Sequence, residues 1–143
     1  MRDAARVPIL AGAILFLLGL IEGALVQSFL NPRMALSAHL TAVQSGMALM
    51  IFGLVWQWVA LSPVLSAIAR WSVVIGMYGL WFGLTLSALT GAGDSLPIAG
   101  AGYDAGLIAQ MVVTGLVLGG SVAMVLGWSL FVFGLLRRSE TRR

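Results

Sequence analysis

Four long apolar runs with few charged residues limit what this chain of 143 residues can fold into. A bilayer has a hydrocarbon core about 30 Å thick, which a helix of about 20 residues crosses. Within that core only helices and closed barrels satisfy their backbone hydrogen bonds, and runs of this length favour helices. We therefore expect an all-α integral membrane four-helix bundle, formed by a single domain. Its four spans are predicted at about residues 8–29, 31–61, 71–89 and 107–136.

The composition supports a membrane protein and no soluble domain. Hydrophobic residues make up 60% of the chain and charged residues 9%, whereas soluble domains average about 45–50% apolar and about 25% charged residues. The formal net charge of +3 does not indicate a nucleic-acid partner, because the arginines stand only beside the apolar runs. The first run is longer than the core of a signal peptide and has no convincing cleavage site, so we interpret it as the first span.

The arginines predict the orientation of the chain. If both termini are cytoplasmic, that side holds seven of the eight arginines, and cytoplasmic loops of membrane proteins carry the excess of positive charge. His39 and the glycine-rich acidic loop at about residues 90–106 then lie towards the opposite side, where the loop is expected to fold over the histidine. The seven are Arg2, Arg6, Arg70, Arg137, Arg138, Arg142 and Arg143, and Arg33 is the eighth.

Local signals predict where helices begin and how they pack. Asn31 followed by Pro32 is typical of an N-cap and a first helical residue, so the second helix should begin there and reach about Leu61. Ser62 is expected to open a short connection that ends at Arg70. Three GxxxG pairs predict close approach of neighbouring helices. They are Gly19 with Gly23, Gly79 with Gly83, and Gly115 with Gly119.

His39 is the one histidine of a chain that has no cysteine. It is either a metal ligand or a hydrogen-bonding group between helices, and ionisable groups inside a membrane usually mark functional sites. One histidine is too few for zinc, which takes three or four protein ligands. Haem supplies four of the iron's ligands itself, so one histidine suffices. Ala42, Val43 and Gly46 share its helix face, and their small size is expected to leave room for a flat cofactor.

Glu22 is a carboxyl group near the middle of the first span. Burying it ionised would cost several kcal/mol, so it should be protonated, paired or turned to a polar cavity. It is a candidate proton carrier, substrate contact or partner of His39, or else a packing contact. The other polar groups within the spans are more typical of helix packing than of catalysis. They are Gln44, Ser45, Gln57 and Gln110.

Several segments together resemble a known family. The run NPRMALSAHL, the later ARW, the stretch Tyr78-Gly79-Leu80-Trp81, and PIAGAGYDAG followed by Gln110 resemble the hydroxylaminobenzene mutase family of four-span bacterial membrane proteins. More distantly, the chain is similar to styrene oxide isomerase. The likeness covers almost the whole chain, and the segment from Asn31 to His39 is its most specific part.

The resemblance implies an isomerase of the bacterial cytoplasmic membrane. It implies a homotrimer that holds haem b at its subunit interfaces, with the iron ligated by His39 and acting as a Lewis acid on a small aromatic substrate. A hydroxylaminoarene would give an aminophenol, and an aryl epoxide would give an aldehyde. Membrane lipid is the expected surrounding partner.

The sequence also departs from the family pattern. Ser45 stands where asparagine is usual, and the polar positions of the epoxide isomerase's third helix fall on Gly76 and Leu84. Ser45, Gln44 and Glu22 are therefore the catalytic candidates for contacts on the open side of the iron. Two other hypotheses are a non-catalytic haem-binding or electron-transfer protein and a cofactor-free structural or transport subunit. Absorption spectra and product assays distinguish the three.

Overall fold

A computed structural model describes the backbone of residues 2–140 and the side chains of residues 5–137. It confirms the all-α prediction, with four helices: α1 (Arg2–Leu25), α2 (Pro32–Val55), α3 (Pro63–Thr90) and α4 (Leu107–Glu140). Short 3₁₀ turns, Val26–Ser28 and Trp56–Trp58, follow α1 and α2. Arg142 and Arg143, and the side chains of Arg2 and Arg138, lie outside the described residues.

Each of the four helices is long and apolar enough to cross a membrane. Large apolar side chains remain exposed along them, including Leu17 at 57%, Ile75 at 60% and Val122 at 69% of their surface. Such a surface suits hydrocarbon and not water. The chain is therefore a multi-pass membrane protein.

The helices form two tight pairs, α1 with α2 and α3 with α4, and α2 also packs on α3. Glycines bring each pair together. A Cβ atom added at Gly12 would lie 2.5 Å from the carbonyl oxygen of Gly46, and one added at Gly76 would lie 2.7 Å from that of Gly120. Contacts this close are what small residues at helix interfaces permit in membranes.

Two of the three GxxxG predictions have a counterpart in this chain. Gly19 and Gly23 both pack directly against α2, and Gly83 approaches α4, where an added Cβ would lie 3.1 Å from Leu116. The third has no counterpart among the described residues, since a Cβ at Gly115 or Gly119 meets no described atom within 4 Å, and it stays a prediction. These two glycines lie on the outer face of α4, which the α3 contact leaves uncovered.

The second helix is shorter, and the third longer, than the sequence pattern suggested. The α2 helix ends at Val55 and not near Leu61, and the segment we expected to be a connection is the start of α3. Ser62 caps α3 by accepting a hydrogen bond from the backbone N–H of Leu65 at 3.4 Å, and Pro63 is its first residue. This repeats the Asn31-Pro32 start of α2, so the same capping rule applies at both positions.

Aromatic side chains join α2 to α4 at the end of the bundle where α1 begins. The ring centroids of Phe52 and Phe131 are 4.5 Å apart, and Trp56 and Trp128 pack around them. Trp56 is buried in this cluster, whereas Trp58 is exposed over 47% of its surface. The tryptophans therefore divide between the core and the outer surface.

Candidate functional site

One turn of α1, residues 19–23, receives polar side chains from two neighbouring helices. His39 reaches it from α2, and its Nδ1 atom lies 2.7 Å from the carbonyl oxygen of Gly19. A carbonyl oxygen only accepts, so Nδ1 carries the proton and donates it. In a neutral imidazole the lone pair is then on Nε2. A histidine that ligates a metal usually has this arrangement, in which the second ring nitrogen donates to a carbonyl or carboxylate.

The imidazole ring fits against α1 because Gly23 has no side chain. A Cβ atom added there would lie 2.6 Å from Nδ1 and 2.7 Å from Cε1 of His39. The absence of a side chain thus lets the ring lie flat on the helix backbone, one turn after its acceptor Gly19. The GxxxG pair of α1 therefore has two roles, since it brings α2 close and it seats the histidine.

The other flank of His39 faces outward. The ring is half-buried, and its neighbours on α2 include Leu36 and Leu40, which are exposed over 49% and 46% of their surface. Met47, two turns further along the same flank, is 42% exposed. The imidazole therefore lies at the outer edge of the α1–α2 pair and not in the centre of the bundle.

The room that we expected beside the histidine at Ala42 and Gly46 is filled by α1, which corrects the sequence interpretation. Ala42 is fully buried against Gly19, and a Cβ at Gly46 would lie 2.6 Å from the backbone nitrogen of Phe16. Val43 also contacts Gly19 but is only half-buried. A flat cofactor ligated by His39 has space only on the outward flank.

Glu22 binds α3 and not His39, so of the alternatives for Glu22 the pairing with His39 is not found in this chain. The carboxyl group is buried, with 5% of the residue exposed. Its Oε2 accepts a hydrogen bond of 2.8 Å from Nε1 of Trp81, and its Oε1 is 2.8 Å from the hydroxyl oxygen of Thr85. Glu22 is thus a polar tie between α1 and α3, one residue before the glycine on which the imidazole rests.

Gln44 and Ser45 do not converge on the histidine within this chain. At about 100° per residue they are turned by roughly 140° and 120° from His39 around α2. Gln44 is exposed on the outer surface, and Ser45 is buried with 7% of its surface accessible. The three catalytic candidates therefore lie on three different faces of the α1–α2 pair.

The loop between α3 and α4 folds over the start of α2. The Nδ2 atom of Asn31 donates to the carbonyl oxygen of Ala99 at 2.8 Å, and Arg33 donates to that of Ala101. Gln110 accepts from the backbone N–H of Asp94 at 3.1 Å. The bonds of Asn31 and Arg33 hold the loop on the start of α2, about two turns from His39, and Gln110 holds it on α4.

Sequence reasoning missed the α3 partners of α1. The sequence pattern did not indicate that Trp81 and Thr85 bind Glu22, or that the hydroxyl of Tyr78 donates to the carbonyl oxygen of Ala11 at 2.8 Å. Trp81 and Thr85 are four residues apart and so share a helix face. That spacing was the available signal, but nothing in the sequence showed that this face meets Glu22.

The donor set of the site is a single imidazole. Among the described side chains, no group of three or more histidine, cysteine, aspartate or glutamate residues is arranged to hold a metal ion. One outward-facing imidazole with a free Nε2 fits a cofactor that brings its own equatorial ligands, as haem does. The residues present therefore fit haem, which His39 would hold.

The fold and site define a class of multi-pass four-helix membrane proteins with one imidazole placed between helices. Comparison with known proteins identifies the particular family within this class. The sequence profile described as Styrene oxide isomerase matches residues 4–136. Hydroxylaminobenzene mutase HabA of Ectopseudomonas oleovorans is 37% identical over 128 residues, which are 89% of this chain and 95% of the relative.

A second relative supports the same group. Hydroxylaminobenzene mutase HabB of Ectopseudomonas oleovorans is 34% identical over 133 residues, or 92% of this chain and 80% of the relative. No solved structure gives a significant match. The chain belongs to the styrene oxide isomerase family and is an isomerase. The hypotheses of an electron-transfer protein and of a structural or transport subunit are thereby replaced.

Proposed function

We propose that this protein is a haem-dependent isomerase that rearranges a small aromatic N-hydroxyl or epoxide substrate within the membrane. The observation that carries the proposal is the hydrogen bond from Nδ1 of His39 to Gly19, which leaves Nε2 as a free electron-pair donor. The names of the relatives favour conversion of a hydroxylaminoarene to an aminophenol. The family profile favours the second substrate class, an aryl epoxide converted to an aldehyde.

In this proposal His39 holds haem b on the outward flank of the α1–α2 pair. Ferric haem, when bound, supplies a Lewis acid that polarises a substrate oxygen and weakens its bond to nitrogen or carbon. The carbonyl of Gly19 fixes the ring orientation of His39 and makes its Nε2 a stronger donor. Leu36, Leu40 and Met47 surround that flank with apolar surface, which binds an aromatic ring and excludes water.

The proposed site is completed by further copies of the chain in a homotrimer. The outward flank is open within the described part of the chain, where Leu36, Leu40 and Met47 are exposed. Gln44 is an exposed amide in an apolar span and is therefore suited to a site on a neighbouring copy. Glu22 acts as a positioning residue, since its bonds to α3 hold the turn of α1 on which His39 rests.

The proposed location is the bacterial cytoplasmic membrane with both termini in the cytoplasm. The distribution of the arginines supports this orientation. In the sequence, seven stand near the start of α1, the start of α3 or the end of α4, and Arg33 stands near the start of α2, on the other side. The His39 half of the bundle and the loop at 91–106 then face away from the cytoplasm.

Absorption and product assays on the same preparation test the proposal. The protein is expressed with ample haem supply, purified in mild detergent, and assayed with hydroxylaminobenzene and with styrene oxide. We expect a Soret band and one of the two rearranged products, and we expect both to disappear in His39→Ala. Ser121→Ala, which removes a hydroxyl on α4 that bonds only within its own helix, is the control. A colourless wild type, or an equally coloured His39→Ala variant, would contradict the proposal.

A further inference from the structure

A cavity of about 690 Å³ opens between the helices at the end of the bundle farthest from the loop. It lies where the first turns of α1, the end of α2 and the start of α3 meet, and its volume falls in the range of about 300–1,000 Å³ that is typical of small-molecule sites. It is separate from the His39 region, which lies two to four turns away, later along α1 and earlier along α2. Its walls include Ala5, Ile9, Leu54, Trp56, Ser66 and Arg70.

Arg70 gives this apolar cavity a positive charge. Its guanidinium carbon lies 5.4 Å from the ring centroid of Trp56, and the residue is half-buried. Within the part of the chain that the structure describes, no acidic group pairs with it and no acceptor receives its hydrogen bonds. Stacking on Trp56 occupies one face of the guanidinium and leaves its N–H donors at the edge, where they can donate to an anionic group. A guanidinium in this position is suited to bind a phosphate.

The start of α3 adds positive potential to the same wall. The helix begins at Pro63, and both Pro63 and Ser66 line the cavity. The helix dipole gives this first turn a partial positive charge, while Ser62 already accepts from the N–H groups of Leu65 and Ser66, so the helix start contributes potential and not backbone donors. The cavity therefore combines a guanidinium, a hydroxyl and a helix N-terminus on one side.

The remaining walls are mostly apolar and are formed by Ile9, Leu54, Val59 and Leu61, with Gln57 as a further polar side chain. Trp58 and Trp71, near the cavity in sequence, are exposed over 47% and 52% of their surface, as is typical of residues at the boundary between lipid and water. A free anion would leave the apolar walls in contact with water. An amphiphile places its anionic group on Arg70 and its chain on the apolar side.

We propose that this cavity binds an anionic phospholipid, with the phosphate held by Arg70 and Ser66 at the start of α3 and the acyl chain held against Ile9 and Leu54. This site is independent of the proposed isomerase chemistry, because it shares no residue with the His39 region. A bound lipid would fill the space between the first turns of α1 and the start of α3, and would stabilise the bundle at that end.

Native mass spectrometry of the full-length protein in mild detergent tests the site with defined lipids. Wild type is incubated with phosphatidylglycerol or with phosphatidylcholine at equal concentration. We expect at least fivefold more bound phosphatidylglycerol, and we expect Arg70→Gln to abolish that preference. Arg137→Gln is the matched control, because Arg137 is an arginine at the same end of the bundle that stacks on Phe133 and does not line the cavity.

A further variant and a competition experiment distinguish a lipid site from nonspecific attraction by surface charge and from a site for free phosphate. Ser66→Trp fills the cavity and leaves Arg70 in place, so it should also abolish binding, and it provides the test if Arg70→Gln does not fold. Inorganic phosphate in tenfold excess should not displace the lipid. The proposal is overturned if Arg137→Gln loses as much lipid as Arg70→Gln, if phosphatidylcholine binds equally, or if inorganic phosphate displaces phosphatidylglycerol.

Discussion

Nδ1 of His39 lies 2.7 Å from the carbonyl oxygen of Gly19, and this contact determines what the histidine can do. The bond fixes which ring nitrogen carries the proton and so directs the lone pair of Nε2 away from α1. It also makes the helix that packs against α2 the element that orients the proposed ligand. Changes in α1 should therefore affect haem binding even where they do not touch the cofactor.

Gly23→Ala should reduce haem binding without removing the histidine. The added Cβ would lie 2.6 Å from Nδ1, so the ring must move and its bond to Gly19 is weakened. Loss of such an orienting contact costs roughly 10–100-fold in metal affinity. Haem titration followed by the Soret band measures the change. Gly79→Ala is the control, because a Cβ there has its nearest neighbour at 3.8 Å. Equal haem affinity in Gly23→Ala and wild type would contradict this role of Gly23.

Replacement of Glu22 should separate packing from charge. Glu22→Leu leaves the N–H of Trp81 without its acceptor, while the hydroxyl of Thr85 keeps the carbonyl oxygen of Trp81, and polar ties between membrane helices are worth about 1–2 kcal/mol in model systems. Glu22→Gln keeps one acceptor and offers an amide to the Thr85 oxygen, so it should be less harmful. Thermal unfolding in detergent gives the ranking, wild type above Gln above Leu. A Leu variant as stable as wild type would show that the tie is dispensable.

The same pair of variants tests whether Glu22 takes part in catalysis. A positioning role predicts that Glu22→Gln binds haem and turns over substrate at close to the wild-type rate. Loss of turnover in Glu22→Gln, with haem binding and thermal stability unchanged, would instead assign the carboxyl group to the reaction itself.

Asn31→Asp should release the loop while keeping the helix cap. Aspartate still accepts the hydrogen bond from the backbone N–H of Met34, which Asn31 receives at 3.1 Å, but it has no amide to donate to Ala99. The carboxylate would then face a carbonyl oxygen, at a cost of about 1–3 kcal/mol. Hydrogen exchange by mass spectrometry should show faster exchange in residues 93–101 and no change in α4. Unchanged exchange in the loop would mean that its other contacts suffice.

Single cysteines test the proposed orientation, because the natural chain has none. Asp94→Cys places a thiol in the loop, where Asp94 is exposed, and Thr141→Cys places one near the end of the chain. With both termini cytoplasmic, an impermeant maleimide should label the first variant in intact cells and the second only after the membrane is opened. The reverse pattern would invert the topology.

The sequence was sufficient to predict the four helices and to single out His39 as the candidate metal ligand. Run length and hydropathy predicted four spans, and the Asn31-Pro32 cap predicted the start of α2 at the residue where it begins. The same capping rule, applied to Ser62 and Pro63, would have corrected the start of α3. His39 stood out by residue type alone, since no other side chain of the chain combines a neutral lone pair with proton transfer at neutral pH.

The sequence by itself determined that this chain is a membrane bundle of four helices with one imidazole in its second span, because hydropathy and caps are local properties. Only the tertiary structure decided that His39 bonds to Gly19, that Glu22 meets Trp81, and that Ala42 is covered by α1. Which faces meet depends on the rotation and pairing of whole helices. Those are set by many small contacts at glycines on different helices, and no single segment encodes them.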